Sequence, residues 1–167
     1  MIYVTVGGHS QPFDRLIKKV DEIASKNEFE FVVQYGCSKY IPKNCKGFDY
    51  IPFKKAEEYI KTADLVISHA GVGTILLAKK YNTPIILVPR RRKYKEHYTD
   101  HQVEICKIVQ EQKRENIYVV QHLEYLEQEI RKVLSLPKNN KSLTENMGAA
   151  KIAQEIEKFI EHFVIKT

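Results

Sequence analysis

Six short apolar runs recur along the chain: "IYVTV" (2–6), "FEFVVQY" (29–35), "FDYIPF" (48–53), "LVISH" (65–69), "PIILVP" (84–89) and "IYVV" (117–120). Segments of helical periodicity separate most of them. This alternation constrains the fold more than any other feature. Strands joined through helices run parallel, and a parallel sheet must be covered on both faces. The expected fold is therefore α/β, a Rossmann-like parallel sheet with helices on both faces. Pro12 suits the first turn of a helix. Beyond it Phe13, Leu16, Ile17, Val20, Ile23 and Ala24 recur at helical spacing. Further helices are expected at 54–62, with Ala56, Tyr59 and Ile60 inward, and at 74–81, about 100–112 and 123–135. The prolines bounding 84–89 suit strand ends better than strand interiors.

The sequence divides into a domain at 1–136 and a tail at 137–167, in which the polar linker "PKNNKS" (137–142) precedes an expected helix at 145–163. In that helix Ile152, Ile156, Phe159, Ile160 and Phe163 form one apolar stripe. The stripe could pack on the chain's own sheet or dock on a partner. Glu155, Glu157 and Glu161 disfavour a third use, lying on a membrane.

A length of 167 residues suffices for one domain with a substantial core. The longest apolar runs, five or six residues, fall far short of the roughly 20 that span a bilayer. Met1-Ile2-Tyr3-Val4 opens directly as a strand, with nothing like a secretory leader. Cys37, Cys45 and Cys106 are odd in number and lack CxxC spacing, which argues against a disulfide framework or a zinc site. These features together lead to an expected cytoplasmic location. The formal charge of +6 is partly concentrated in "RRRKYK" at 90–95. Such a run suits a solvated loop, anionic phosphates, an acidic membrane surface or nucleic acid. No RNP-type aromatic motif or zinc finger accompanies it, so nucleic acid is not expected as a partner.

Ligands of parallel α/β sheets bind outside the carboxyl ends of the strands. Here those ends carry Gly7, Gly8 and His9; Ser68, His69 and Gly71; and Pro89 and Arg90. In "VISHAGVGTILLA" (66–78) a strand runs into a glycine turn and then a helix. Glycine lets the backbone approach a ligand, and a helix N-terminus offers free amides and a positive dipole end. Both favour a diphosphate near Gly71, Gly73 and Thr74, although tight strand–helix packing would also select glycine. GxGxxG and GxxxxGKS/T are both absent, so a dinucleotide dehydrogenase and a P-loop kinase are poorly supported. Glu96, His97, Asp100 and His101 read as a polar pocket wall, while Thr99 and Gln102 have the spacing of a capping box.

Three blocks in order, "VTVGGHSQPFDRLIKKVD", "SHAGVGTI" and "PIILVPRRRKYKEHYTDHQVE", resemble the donor-binding subunits of two-component glycosyltransferases. That group includes bacterial capsule and exopolysaccharide subunits and the cytosolic subunit of the eukaryotic dolichol-linked N-acetylglucosaminyltransferase. All are similar to the C-terminal half of glycosyltransferase family 28, so the resemblance implies one half of a GT-B fold. It also implies a UDP-sugar as donor, its diphosphate near Gly71, Gly73 and Thr74 and its hydroxyls near Asp100, His101 and Gln102. The missing half would be a membrane-anchored subunit that binds a lipid-linked acceptor, holding this chain at the inner membrane face. A homodimer supplying its own second half is the alternative. The chain departs from the family's pattern at Leu77, where a ribose-holding Glu is usual, and at Ser10, where "GTHEQPF" has a carboxylate.

Glycosyl transfer needs stabilisation of the departing diphosphate and removal of a proton from the acceptor hydroxyl. The chain has no DxD pair, so no metal cofactor is expected; glycine-loop amides, the helix dipole and Arg90 would serve instead. His9 is the first candidate base, since an unperturbed imidazole titrates near neutrality. The other reading is a ring that only orders its loop. Glu96 is the second candidate base, and His69 is expected to hydrogen-bond within its loop. Together the expected donor contacts are Gly7, Gly8, Ser68, His69, Gly71, Gly73, Thr74, Arg90, Asp100, His101 and Gln102. A non-catalytic nucleotide-sugar-binding or interaction module is the rival function.

Overall fold

The computed structural model describes residues 1–137. The expected linker beyond Pro137 and the apolar stripe 152–163 lie outside the described residues. Six strands form one sheet: β1 (Ile2–Thr5), β2 (Phe31–Gln34), β3 (Lys46–Phe48), β4 (Leu65–Ser68), β5 (Ile85–Leu87) and β6 (Ile117–Val119). The helices are α1 (Asp14–Lys26), α2 (Phe53–Thr62), α3 (Val72–Lys80), α4 (His101–Glu111) and α5 (Leu126–Ser135). Strand order is β3-β2-β1-β4-β5-β6, and every pairing is parallel.

The register places Val4 opposite Val33 on one side and Ile67 on the other. Side chains alternate across a strand, so each strand feeds two cores. Ile2, Val4, Val33, Leu65, Ile67 and Ile86 meet α1 and α5, through Leu16, Ile17, Val20, Ile130 and Val133. Tyr3, Val32, Val66, Ile85 and Leu87 meet α2, α3 and α4, through Ile60, Ile75, Ala78, Ile105 and Val109. Each such side chain is worth about 1.5–3 kcal/mol when removed from water, so both layers hold firmly.

The third strand lies earlier than the "FDYIPF" run suggested: pairing covers Lys46–Phe48, and Phe53 begins α2. Pro52 explains the difference. It has no amide for a ladder, and its carbonyl accepts the first amides of α2, from Lys55 and Ala56. Asp21 on α1 fixes the preceding loop, accepting the Tyr40 hydroxyl at 2.6 Å and the Lys43 and Asn44 amides at 2.9 and 2.7 Å.

From β1 the chain steps outward to β2 and β3, then crosses back to β4 on the other side of β1 and steps outward again to β5 and β6. The order therefore reverses between β1 and β4, and a crevice opens outside their carboxyl ends.

Candidate functional site

Two turns face that crevice. After β1 the chain passes Gly7, Gly8 and His9; after β4 it passes His69, Ala70 and Gly71 into α3. Gly7 has φ +70°, a conformation that favours glycine. Its space is limited as well, because a Cβ there would lie 2.5 Å from His69 Cε1. A Cβ on Gly71 would also run into the His69 ring. Gly8 and Gly73 have open space instead. The four glycines thus divide by role: Gly7 and Gly71 make room for an imidazole, and Gly8 and Gly73 leave the surface bare.

His69 keeps some solvent contact as a residue, but its ring is packed beneath both turns. Its Nδ1 lies 3.2 Å from the hydroxyl of buried Ser68, the last residue of β4, so the ring bonds to the strand end beside its loop. Burial, then the Arg90 charge, pushes its pKa down to about 3, and it stays neutral near neutral pH. His69 and Ser68 form the floor of the site.

Gly71 precedes α3, and no side chain caps that helix. The first-turn amides of Val72, Gly73 and Thr74 are the ones a helix leaves without intrahelical partners. Gly73 is exposed and Thr74 half-buried. This is the arrangement that suits an anion. Leu77, a turn further on, packs with Ile75 and Ala78 against the second core.

Arg90 departs from expectation. It is fully buried, and its guanidinium donates to the carbonyls of Gln11, Pro12, Glu96 and Val6 at 2.8–3.2 Å. It also lies over the Phe13 ring, 4.8 Å from the centroid. A side chain so enclosed does not reach a diphosphate. It ties the β1–α1 loop to the loop after β5 and places a positive charge beneath the site. Burial lowers its pKa to about 10, which leaves it charged at neutral pH.

Glu96 is engaged too. It is buried, receives Nε and Nη2 of Arg15 at 2.8 Å each, and accepts the Arg91 amide at 3.0 Å. A carboxylate held this way braces the loop and is poorly placed to take a substrate proton.

His9 is half-buried at the crevice edge. Its Nδ1 accepts the Gln11 amide at 3.1 Å. The rings of His97 and Tyr98 lie 5.1 and 6.0 Å away, centroid to centroid. Burial, Arg90 and His97 all lower the His9 pKa. Sequence reasoning gave His97 only as pocket wall and missed Tyr98; the "EHYTDH" spacing signals polarity but not that these rings meet one at least 88 residues away.

The expected capping box at Thr99 does not form. Asp100 holds the cap position without a side-chain cap bond, and its carboxylate accepts the Arg92 amide at 2.9 Å. Gln102 is buried, and its Oε1 accepts the Arg90 amide at 3.0 Å. His101 faces Glu104 at 3.7 Å. Of the hydroxyl-binding candidates, Asp100 and His101 keep exposed surface, and Gln102 positions Arg90.

At the opposite edge a cavity of about 300 Å³ is lined by Asp64, Asn82, Pro84 and Asn116, among others. It lies at the amino ends of the strands, away from both glycine turns, so the crevice remains the candidate site. Among the described residues no helix is long and apolar enough to cross a membrane.

Comparison with known proteins matches residues 1–160 to a family model described as the glycosyltransferase family 28 C-terminal domain. The chain is 29% identical to the UDP-N-acetylglucosamine transferase subunit ALG13 of Mus musculus, over 92% of this chain but only 13% of that protein. An NMR solution structure of ALG13 superimposes with a TM-score of 0.57 at 19% identity, covering 93% of this chain and 94% of that one. The glycotransferase of kitacinnamycin gives 0.62 at 14% identity, covering 97% of this chain and 39% of that one. MurG of Acinetobacter baumannii gives 0.54 at 18% identity, covering 80% of this chain and 41% of that one.

Proposed function

The chain belongs to the glycosyltransferase family 28 C-terminal domain family, and from that premise we propose that it is the donor-binding, catalytic subunit of a UDP-sugar-dependent, inverting glycosyltransferase. Its Rossmann-like sheet is that of one half of a GT-B fold. The observation that carries the reading is the uncapped start of α3, with bare Gly73, opening on the crevice between β1 and β4.

In such a reaction the acceptor hydroxyl attacks the anomeric carbon as its bond to the diphosphate breaks. The hydroxyl proton passes to a base, and UDP leaves with the bonding electrons. Negative charge grows on the diphosphate, where oriented amides and a helix dipole act without reorganising. Arg90 adds a buried positive charge behind them. Asp100, at the end of the loop leading into α4, and His101, the first residue of that helix, are proposed to hold sugar or ribose hydroxyls.

The acceptor side is assigned to a second, membrane-anchored polypeptide that binds a lipid-linked acceptor and holds this chain at the inner membrane face. The relative named as a transferase subunit supports that assignment. A homodimer supplying both halves is the alternative arrangement. Leu77, apolar and packed against the second core where the family's ribose ligand is usual, favours the second reading, a non-catalytic nucleotide-sugar-binding module.

Calorimetry with a panel of UDP-sugars, using GDP- and dTDP-sugars as controls, tests donor binding. Selective binding of one UDP-sugar is expected. Equal or absent binding across the panel would overturn the assignment. Sugar transfer on reconstitution with host membranes separates the two readings.

A further inference from the structure

We infer that His9 serves the site as a hydrogen-bond donor, presenting Nε2–H to a phosphate oxygen of the bound UDP-sugar, and is not the base that takes the acceptor proton. The inference rests on the donor-binding reading above.

It starts from a bond whose direction is fixed. The Gln11 amide points at His9 Nδ1 from 3.1 Å, and a backbone N–H can only donate. Nδ1 therefore keeps its lone pair. A neutral imidazole has one N–H, so the proton stands on Nε2. A histidine acting as base through Nε2 needs the opposite tautomer, with Nδ1–H given to a carboxylate or carbonyl. In this loop that tautomer would set two N–H groups against each other.

The residue imposing the tautomer is itself held in place. The Gln11 carbonyl accepts Arg90 Nη1 at 2.8 Å, and the same guanidinium binds the carbonyls of Pro12 and Val6. Buried Arg90 thus fixes the loop that fixes the ring. By contrast, His97 Nδ1 lies within reach of both the amide and the carbonyl of Thr99, so its tautomer is not imposed.

The surroundings favour an anion beside a neutral ring. Gly8, just before His9 in the chain, has open space on its Cα, and the Arg90 charge lies beneath. That charge, with burial and His97, also resists protonation of the ring. A donor that is already neutral and oriented needs no proton transfer to meet a phosphate.

Two measurements test this. Long-range ¹H–¹⁵N correlation of the histidine rings in the unliganded chain at pH 7.5 is expected to show His9 as the Nε2–H tautomer. Finding Nδ1–H there overturns the inference without reference to UDP. Calorimetry then compares UDP with uridine. His9→Ala is expected to weaken UDP about tenfold or more, the value of one hydrogen bond to a charged group, and to leave uridine unchanged. His9→Gln, whose side-chain amide reaches the place of Nε2, is expected to recover most of the loss, and His9→Asn is not. Unchanged UDP affinity in folded His9→Ala overturns the donor role. A wild-type chain that binds no UDP, while showing the Nε2–H tautomer, overturns the donor-site reading instead.

Discussion

The imidazole of His69 occupies the space that a side chain on Gly71 would need. The glycine turn before α3 is therefore shaped from within the protein as well as for a ligand, and substitutions separate the two demands. Gly71→Ala must push a buried ring and is expected to destabilise the fold by about 1–3 kcal/mol. Gly73→Ala meets open space and removes a poor helix former, so stability should hold or rise by up to about 1 kcal/mol. Gly73→Val should stay folded yet lose UDP affinity by filling the bare surface beside the amides. Urea unfolding and calorimetry on the three variants check this; an intact UDP affinity in Gly73→Val would remove this turn from the site.

The same imidazole makes stability depend on pH. Its folded pKa of about 3 lies below the roughly 6.5 of an unfolded histidine. Below pH 6.5 the unfolded chain binds a proton that the folded chain refuses, so stability is complete above that value and falls as pH drops toward 3. The slope from this residue is about 1.4 kcal/mol per pH unit below about pH 6. Urea midpoints measured from pH 7.5 to 5 should fall accordingly. A His69→Gln variant should show a flatter profile, and an identical slope would assign the effect elsewhere.

The sheet was legible in the sequence because every strand but β3, which is Lys46-Gly47-Phe48, is short, apolar and followed by a glycine, a proline or a helical pattern. Two local readings failed for definite reasons. Ile51-Pro52-Phe53 looks like strand, but Pro52 lacks a ladder amide and starts α2. Thr99 and Gln102 have capping spacing, but Gln102 is drawn to the Arg90 amide. Arg90 itself could not be understood locally, since the carbonyls of Val6, Gln11 and Pro12 lie 78–84 residues away. A basic run in sequence gives no sign that its first member points inward.

That inward arginine should be among the most costly side chains to remove. Arg90→Met keeps the apolar contact with Phe13 but strands four carbonyls, and a loss of about 3–5 kcal/mol is expected. Arg90→Lys should recover little, because one ammonium cannot span the positions that a planar guanidinium reaches. Chemical denaturation measures both. A lysine variant as stable as wild type would show that charge alone suffices.

Donor binding should survive chelation. The chain has no paired DxD carboxylates, and Glu96 is bound to Arg15. The proposed work of holding the diphosphate falls to amides, His9 and the field of Arg90. Titrating UDP into protein in excess EDTA, then with added magnesium or manganese, should give equal affinities within error. A clear drop on chelation would mean that a metal bridges the diphosphate to the protein.

Alone, this chain should bind a UDP-sugar and transfer it to nothing. The crevice is bounded on this chain by two glycine turns and the loop that carries His97, Tyr98 and Asp100, all on one sheet edge. A hydroxyl attacking with inversion must approach the anomeric carbon opposite the diphosphate, which is the side facing away from those turns. Of the two carboxylate and imidazole groups first suited to take its proton, Glu96 is bound by Arg15 and Arg91 and His9 by Gln11. An open half also leaves the departing charge in contact with water, where oriented amides act more weakly. The purified chain incubated with radiolabelled UDP-sugar and a polyprenyl-linked acceptor should give no product, and native-host membranes should restore transfer. Robust transfer by the chain alone would show that it supplies its own acceptor side, and sedimentation at the assay concentration would then reveal whether two copies do so together.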